Sequence, residues 1–295
     1  MNSFSHDLKK KIEEFEDILK PHVINVNLCE ELDKAVNYSI TCGGKRLRPI
    51  IMKEAYKIFN KEETTTLHTF MVGMEFIHNF SLVHDDLPAI DNDELRRGKP
   101  TTHKLFGEDI AILTGDVMLN YAYKVAASSF FNNDSIDIKV KAEALHMLIQ
   151  SCEDMIDGET IDVIGEFDSN KKLVDMYDKK TCKLIISSLC IGALLGGASE
   201  DAVLDMGKIG YLMGMAYQIQ DDILDIEGDE DTFGKPIGSD QKNNKKTLVS
   251  VMGIANAKNN VETFYNEAIE VLEKYTDENN FLHRLLVSLR SGRSS

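Results

Sequence analysis

The sequence has few cysteines, few prolines and no long uninterrupted apolar run. Its five cysteines are an odd number and none belongs to a CxxC pair, so we expect neither a disulfide framework nor a structural zinc site. Such a composition fits a reducing cytoplasm. The longest apolar stretch, residues 184–197, is interrupted by serines and is too short to span a bilayer, and the charged N-terminal segment has no apolar signal core.

The sequence also lacks the motifs that mark several enzyme classes. It has no GxxxxGK[ST] phosphate loop and no glycine-rich dinucleotide signature, so a nucleotide is not the expected ligand. It has no GxSxG or HExxH motif, and no cysteine with an obvious base. Chemistry driven by stabilisation of charge fits this lack of a nucleophile better than covalent catalysis does. The net charge of −16 argues against nucleic acid as a partner.

The sequence that remains predicts mostly α-helices. Only five prolines occur and no long run alternates apolar with polar residues, which predicts an all-α chain that forms one domain over residues 1–295. Two charged segments, residues 87–103 and 228–246, are predicted to be loops. Gly197 is expected to stop one helix and Asp201 to lie at the start of the next. Helices are predicted near 6–20, 27–41, 48–60, 64–87, 109–130, 137–156, 172–196, 201–227, 247–257, 259–275 and 278–290.

An acidic cluster marks the helix end from which each of these loops starts. We call residues 85–91 (DDLPAID) the first motif and residues 221–225 (DDILD) the second motif. On a helix Asp221 and Asp225 share a face with Gln218, because they are four and three residues apart. Oxygen-only ligands suit a hard cation, and Mg²⁺ commonly takes one or two carboxylates together with substrate phosphates. Solvated helix ends are the alternative, but two such clusters favour a metal site; the EF-hand pattern is absent.

The first motif needs a local distortion to work in the same way. Pro88 disrupts the helix, so Asp91 must be brought back towards Asp85 by a bulge. His78 lies seven residues before Asp85 and therefore on the same helix face. This face is expected to carry the functional side chains.

Two basic loops supply the opposite charge. Residues 43–49 (GGKRLRP) open a helix with two glycines, so backbone amides, Lys45 and Arg48 are predicted to hold a diphosphate. Residues 96–100 (RRGKP) form a second basic segment just after the first motif. A solvated basic loop is the alternative for either. Three lysines add positive charge around the second motif: Lys180, Lys235 and Lys245.

Taken together, these motifs resemble those of the trans-isoprenyl diphosphate synthases, specifically the bacterial farnesyl diphosphate synthases. The resemblance covers nearly the whole chain and follows the family's order. It rests on GGKRLRP at 43–49, HDDLPAIDNDELRRGKPTTH at 84–103, GDVML at 115–119, DKKT at 178–181, YQIQDDILD at 217–225 and GKPIGSD at 234–240.

The resemblance implies an isoprenoid-synthase-type helical bundle around a deep central cavity, and a homodimer. It implies a reaction in which isopentenyl diphosphate is condensed with dimethylallyl or geranyl diphosphate, 1′ to 4, to give farnesyl diphosphate. Three Mg²⁺ ions would bridge the allylic diphosphate to the aspartates. The implied metal ligands are Asp85, Asp91, Asp221 and Asp225, and Asp86 and Asp222 are the further motif acids.

The resemblance also divides the remaining site residues between the two substrates. The allylic diphosphate would lie on Arg96, Lys180 and Lys245, with Lys235 close by. Thr181 and Gln218 would lie near the developing cation. Isopentenyl diphosphate would bind Lys45, Arg48, His78 and Arg97. The leaving diphosphate would take the proton, which accounts for the absence of a protein base.

Product length depends on the residues before the first motif, which form the floor of the tail pocket in this family. Phe80 and the Pro88-Ala89 insertion are typical of farnesyl synthases, while a geranylgeranyl synthase is the alternative. Phe80 as an ordinary core residue fits either product. A departure from the family is Glu159, which follows Gly158 where the family commonly has glutamine.

Two further alternatives are less well supported by the sequence. A class I terpene cyclase needs no isopentenyl site, yet Lys45, Arg48 and Arg97 are all present. Its second metal motif also differs from Asp221–Asp225. A non-catalytic partner subunit would usually have lost one acidic motif, and both are intact here.

Overall fold

The computed structural model describes residues 3–24, 29–167, 169–227 and 246–292. The all-α prediction is confirmed, with one two-stranded antiparallel ribbon formed by β1 (Leu95–Arg96) and β2 (Lys99–Pro100). The helices are α1 (Ser3–Ile24), α2 (Glu30–Thr41), α3 (Leu47–Phe59), α4 (Thr65–Asp85), α5 (Thr102–Phe106), α6 (Glu108–Ser128), α7 (Ile138–Ile164), α8 (Asn170–Tyr177), α9 (Lys183–Leu195), α10 (Glu200–Glu227), α11 (Leu248–Met252), α12 (Ile254–Leu272) and α13 (Phe281–Arg290).

The chain divides into two compact units. The first comprises residues 1–53 and 62–146, and the second comprises residues 54–61 and 147–295. The prediction of a single domain over residues 1–295 stays a prediction.

The first unit is organised around α4, which packs mainly against α6. Thr64 caps α4, because its hydroxyl accepts a hydrogen bond from the backbone N–H of Leu67 at 3.1 Å. Most α4 side chains are buried on all sides, as expected for a central helix. Asp85 is its last residue, so a buried, rigid helix carries the beginning of the first motif.

The second unit is organised around α10, which packs against α9 and α12. The predicted boundary between α9 and α10 is confirmed: α9 ends at Leu195, Gly197 adopts a φ of +86°, and Asp201 lies in the first turn of α10. The 28 residues of α10 run without a break into the second motif. Both motifs thus begin at the C-terminal end of a long buried helix.

Four predicted elements differ from the structure. The helix predicted over 137–156 continues to Ile164. The helix predicted over 172–196 is interrupted by a π-helical turn, Asp178–Cys182. The predicted loop 87–103 contains the β1–β2 ribbon, and α5 begins at its end. The helix predicted over 247–257 ends at Met252, because Gly253 has a φ of +78°.

None of the helices in the described residues is both long and apolar enough to cross a membrane. All five cysteines belong to the described part of the chain, and none forms a disulfide. Burial raises the pKa of the Cys190 thiol to about 12 and also raises the pKa of the Cys182 thiol, so both stay protonated. They are therefore poor nucleophiles, in agreement with the sequence.

Candidate active site

The first motif folds back on itself directly after α4. The backbone N–H of Asp91 donates to the carbonyl of Asp85 at 2.9 Å, and Asn92 then takes a positive φ of +53°. The predicted return of Asp91 towards Asp85 past Pro88 is therefore confirmed. Asp85 is half-buried and Asp91 is exposed, so both carboxylates lie at the surface of the first unit.

The second aspartate of the first motif is buried and ion-paired. Asp86 is 3% exposed, and its Oδ1 accepts from Arg96 Nε at 2.7 Å and from Nη2 at 2.6 Å. Arg96 ends β1, and the next two residues, Arg97 and Gly98, have φ values of +54° and +73°. Two positive φ values between paired strands are the signature of a type I′ turn. The ribbon therefore positions Arg96 against Asp86.

The same turn presents Arg97 to the first basic loop. Arg97 Nη1 donates to the carbonyl of Gly43, and a side-chain carbon at Gly44 would lie 2.6 Å from Nη1. Gly44 is thus required for this contact, both by space and by its φ of +131°. The structure brings together the two basic segments that the sequence placed about fifty residues apart.

His78 lies in the positive field of this cluster. Burial, followed by the charges of the arginines, lowers the pKa of His78 well below its usual value, so the ring is neutral at physiological pH. The arginines that act on it are Arg48, Arg97, Arg96 and Arg46. Lys45 is exposed on the basic loop, and Arg48 is half-buried in the first turn of α3. This cationic region suits a polyanion such as a diphosphate.

Arg46, which lies between these two residues, turns inward instead. With a φ of +47°, it donates to Glu16 and Glu75 at 2.7 Å each and to the carbonyl of Ile40 at 2.6 Å. Its side chain is fully buried, and it ties α1, α2 and α4 to the basic loop. The sequence did not show that Arg46 has a structural role while Lys45 and Arg48 belong to the cationic region. The positive φ at Arg46 turns its side chain inward, and no spacing of residues in the sequence indicates that turn.

In the second motif the corresponding aspartate, Asp222, is also buried but has different partners. Asp222 is 4% exposed; its Oδ2 accepts from the hydroxyl of Tyr177, and its Oδ1 accepts from Gln218 Nε2 at 3.2 Å. Gln218 Oε1 in turn accepts from the hydroxyl of Thr181 at 2.8 Å. The Tyr177 hydroxyl accepts from the backbone N–H of Leu248 at 3.2 Å. The predicted residues Thr181, Gln218 and Asp222 therefore form one chain of hydrogen bonds.

The π-helical turn places Lys180 and Thr181 at this motif. Glycines on two neighbouring helices let the turn fit: a side-chain carbon at Gly158 would lie 2.3 Å from the backbone nitrogen of Lys180, and one at Gly214 would lie 2.7 Å from Cys182 Sγ. Single π turns inside helices are frequent at functional sites.

Lys180 is held by two carboxylates of α7. Its Nζ lies 2.6 Å from Asp162 Oδ2 and 2.7 Å from Glu159 Oε2. Burial lowers the pKa of the ammonium, but the charges of Asp162 and Glu159 outweigh this effect and raise it above the usual value. Lys180 is therefore a fixed cation.

The other acids of the second motif differ in exposure. Asp221 is half-buried and Asp225 is 4% exposed. Within the part of the chain that the structure describes, no three His, Cys, Asp or Glu side chains are already clustered as the ligands of one metal ion. Lys235 and Lys245 lie outside the described residues.

Phe80, the predicted chain-length residue, lies on α4 and is 5% exposed. Its ring contacts the ring of His84 edge to face, at 5.5 Å between centroids. His84 Nε2 lies 3.0 Å from the carbonyl of Ile112 on α6, and Gly115 leaves the space for it. Phe80, which lies slightly more than one helical turn before Asp85, is thus held in place by His84, and His84 in turn contacts α6.

Sequence reasoning missed Tyr177 and Asp162. Tyr177 lies three residues before Lys180 but contacts Asp222, 45 residues further on. Asp162 lies three residues after Glu159, on the same α7 face, and this spacing was the available signal.

Comparison with known proteins identifies the family of the chain. The polyprenyl synthetase family model matches residues 29–284, and the chain belongs to that family. The farnesyl diphosphate synthase of Geobacillus stearothermophilus is 39% identical over 81% of each chain, and that of Bacillus subtilis is 34% identical over 97% of this chain and 96% of its own. The solved geranylgeranyl pyrophosphate synthetase of Pyrococcus horikoshii superposes with a TM-score of 0.85 at 26% identity, covering 97% of this chain and 98% of its own.

Proposed function

We propose that the protein is a prenyltransferase that condenses isopentenyl diphosphate with dimethylallyl and geranyl diphosphates to make farnesyl diphosphate. The observation that carries the proposal is the shared construction of the two motifs. In each, the second aspartate, Asp86 or Asp222, is buried and hydrogen-bonded, while the aspartate before it, Asp85 or Asp221, stays partly exposed on a rigid helix end. The similarity to two bacterial farnesyl diphosphate synthases supports the same product.

Enzymes of this family generally use Mg²⁺. The residues fit that ion, because Asp85, Asp91, Asp221 and Asp225 offer only carboxylate oxygens, and Mg²⁺ is commonly bound by one or two carboxylates together with substrate phosphates. We propose that these four residues hold three ions when substrate is present. Bound Mg²⁺ would supply Lewis acidity towards the allylic diphosphate.

The chain's own cations bind and orient the allylic substrate. Lys180 and Arg96 are held in place by carboxylates and offer charge-assisted hydrogen bonds to its diphosphate, with Lys235 and Lys245 as further candidates. Thr181 and Gln218 would lie near the carbon at which positive charge develops, with Thr181 donating to Gln218 and Gln218 to Asp222.

Isopentenyl diphosphate is assigned to the cationic region of the first unit. Lys45, Arg48 and Arg97 bind its diphosphate, and neutral His78 can accept or donate one hydrogen bond there. The allylic C1–O bond breaks, C4 of isopentenyl diphosphate forms the new bond to C1, and the departing diphosphate accepts the proton lost from C2. No protein base is needed.

We also propose that the protein is a cytoplasmic homodimer. On α7, three exposed apolar side chains follow one another at intervals of seven residues: Ile149, Ile156 and Val163. On α6, Ile112 and Leu113 are exposed. Apolar stripes of this kind are suited to pairing with a second copy.

The decisive experiment uses purified protein with isopentenyl and dimethylallyl diphosphates, with and without Mg²⁺, and identifies the products by mass. We expect a fifteen-carbon diphosphate, no turnover in excess chelator, and recovery when Mg²⁺ is restored. Full activity in chelator contradicts the proposed chemistry. A twenty-carbon product identifies the alternative, a geranylgeranyl diphosphate synthase.

Phe80 provides the test of chain length. We propose that its ring closes the tail pocket after fifteen carbons, so Phe80→Ala should allow longer products, since each methylene buried in the opened space contributes about 0.8 kcal/mol. Loss of the buried ring can also cost about 3–5 kcal/mol of stability, so the variant's unfolding is measured in parallel. A folded, active variant that still stops at fifteen carbons contradicts this role.

A further inference from the structure

Glu159 is an additional carboxylate beside the proposed diphosphate-binding lysine. Asp162 alone would neutralise the ammonium of Lys180, at 2.6 Å, yet Glu159 Oε2 approaches the same nitrogen at 2.7 Å. Glu159 therefore competes for Lys180 with any anion that has to bind there.

The position of Glu159 is fixed by the backbone. Gly158 packs directly against the backbone nitrogen of Lys180, which holds the following residue beside the π turn. Glu159 Oε1 is buried, and no donor among the described residues reaches it. Glu159 therefore gains one ion pair, while its other oxygen has no donor within the described residues, which is unfavourable for stability.

We propose that Glu159 is a positioning residue that weakens the hold of Lys180 on the allylic diphosphate, and so limits the affinity of the site for substrate and product alike. The inference rests on the proposed function, in which Lys180 binds that diphosphate. The prenyl product retains an allylic diphosphate, so the same competition with Glu159 favours product release. Competition by Glu159 for Lys180 would thus weaken binding of the diphosphate and speed turnover.

Glu159→Gln tests this directly. The amide keeps the shape of the side chain and an oxygen that can accept from Lys180, but it removes the charge. We expect the dissociation constant for inorganic diphosphate with Mg²⁺, measured by calorimetry, to fall roughly three- to tenfold. The KM for geranyl diphosphate and the inhibition constant for farnesyl diphosphate should fall similarly, while the KM for isopentenyl diphosphate stays unchanged.

The matched control is Asp157→Asn. Asp157 lies two residues before Glu159 on α7 and pairs with the neighbouring Lys179 at 2.8 Å, so the substitution removes the same charge from the same helix. It should shift these constants less than twofold. Glu159→Asp retains the charge and should resemble the wild type in its affinity for diphosphate.

Separate outcomes bear on Glu159 and on the proposed function. Equal or weaker diphosphate binding by Glu159→Gln than by the control overturns the role of Glu159, even when the wild type condenses both substrates normally. A higher Mg²⁺ requirement in Glu159→Gln overturns it too, since Glu159 would then act as a ligand. Unchanged diphosphate affinity in Lys180→Ala overturns the premise itself.

Discussion

The two acidic motifs share a sequence pattern but are anchored by different chemistry. In the first motif the buried aspartate, Asp86, pairs with the guanidinium of Arg96, ten residues further along the chain. In the second motif the buried aspartate, Asp222, accepts from the hydroxyl of Tyr177 and the amide of Gln218. One anchor is an ion pair within a local ribbon, and the other is a chain of hydrogen bonds between elements distant in sequence.

This difference shows what each motif depends on. The first is fixed by charge and by the type I′ turn, so it should be sensitive to changes in charge. The second is fixed by hydroxyl and amide groups that also orient Thr181, so it should be sensitive to the loss of a single hydroxyl. The partly exposed carboxylates of Asp85 and Asp221 should nevertheless have the same role, which is to bind Mg²⁺.

The largest loss of activity is expected from replacing the first aspartate of either motif, because both motifs present that aspartate in the same way. Asp85→Ala and Asp221→Ala should each reduce kcat by about a thousandfold or more, because each removes a partly exposed carboxylate proposed to hold Mg²⁺. Single-turnover kinetics at saturating Mg²⁺ measure this, with thermal unfolding as the control for folding. A loss below tenfold in both variants would show that these acids are not ligands.

Substitutions of cations in the two units should affect different substrates. Arg97→Ala should raise the KM for isopentenyl diphosphate roughly ten- to a hundredfold, the loss expected for one charge-assisted hydrogen bond. Arg48→Ala should act in the same direction. Lys180→Ala should impair the allylic half of the reaction instead. Initial rates with each substrate varied in turn provide the measurement, and equal effects on both substrates in all three variants contradict the assignment.

The ionic anchor of the first motif should respond to loss of charge alone. Asp86→Asn can keep its contacts with Arg96 through one oxygen but loses the charge, and should lower the free energy of unfolding by about 1–3 kcal/mol. Asp93→Asn is the control, because Asp93 Oδ2 lies 3.6 Å from the same guanidinium. It should cost under about 1 kcal/mol in urea unfolding. Equal costs would mean that the ion pair does not anchor the motif.

Local spacing in the sequence predicted the features that depend on it, and the predictions failed where distant residues meet. The helical period placed Gln218, Asp221 and Asp225 on one long helix, and Pro88 required the return of Asp91 that the backbone shows. The ribbon was missed because its strands have only two residues each.

Other features had no local signal at all. The π turn was missed because the residues between α8 and α9, 178–182 (DKKTC), contain no glycine or proline to mark an irregularity. The inward turn of Arg46 depends on a positive φ, and Tyr177 is paired with a residue 45 positions away. Neither a backbone reversal nor a distant contact can be read from the spacing of side chains in one sequence.

The smallest effect tests the hydrogen-bonded anchor of the second motif. Tyr177→Phe removes only the hydroxyl that donates to Asp222 and accepts from the backbone of Leu248. The matched control is Tyr265→Phe: its hydroxyl donates at 2.8 Å to Gln220, also on α10 but outside the second motif. Both variants lose a buried hydroxyl, so each should lose about 1–2 kcal/mol of stability in urea unfolding.

Catalysis should distinguish these two variants although stability does not. Without the Tyr177 hydroxyl, Asp222 loses one of the donors that fix it, and the chain through Gln218 to Thr181 is loosened, so kcat should fall roughly three- to tenfold with little change in the KM for isopentenyl diphosphate. Tyr265→Phe should retain the wild-type kcat within about twofold, because its partner does not contact the motif acids in the hydrogen bonds described. Equal kcat values for the two variants would reduce Tyr177 to a packing residue. The second motif would then be held by α10 alone, and the contrast between an ionic and a hydrogen-bonded anchor would have no consequence for turnover.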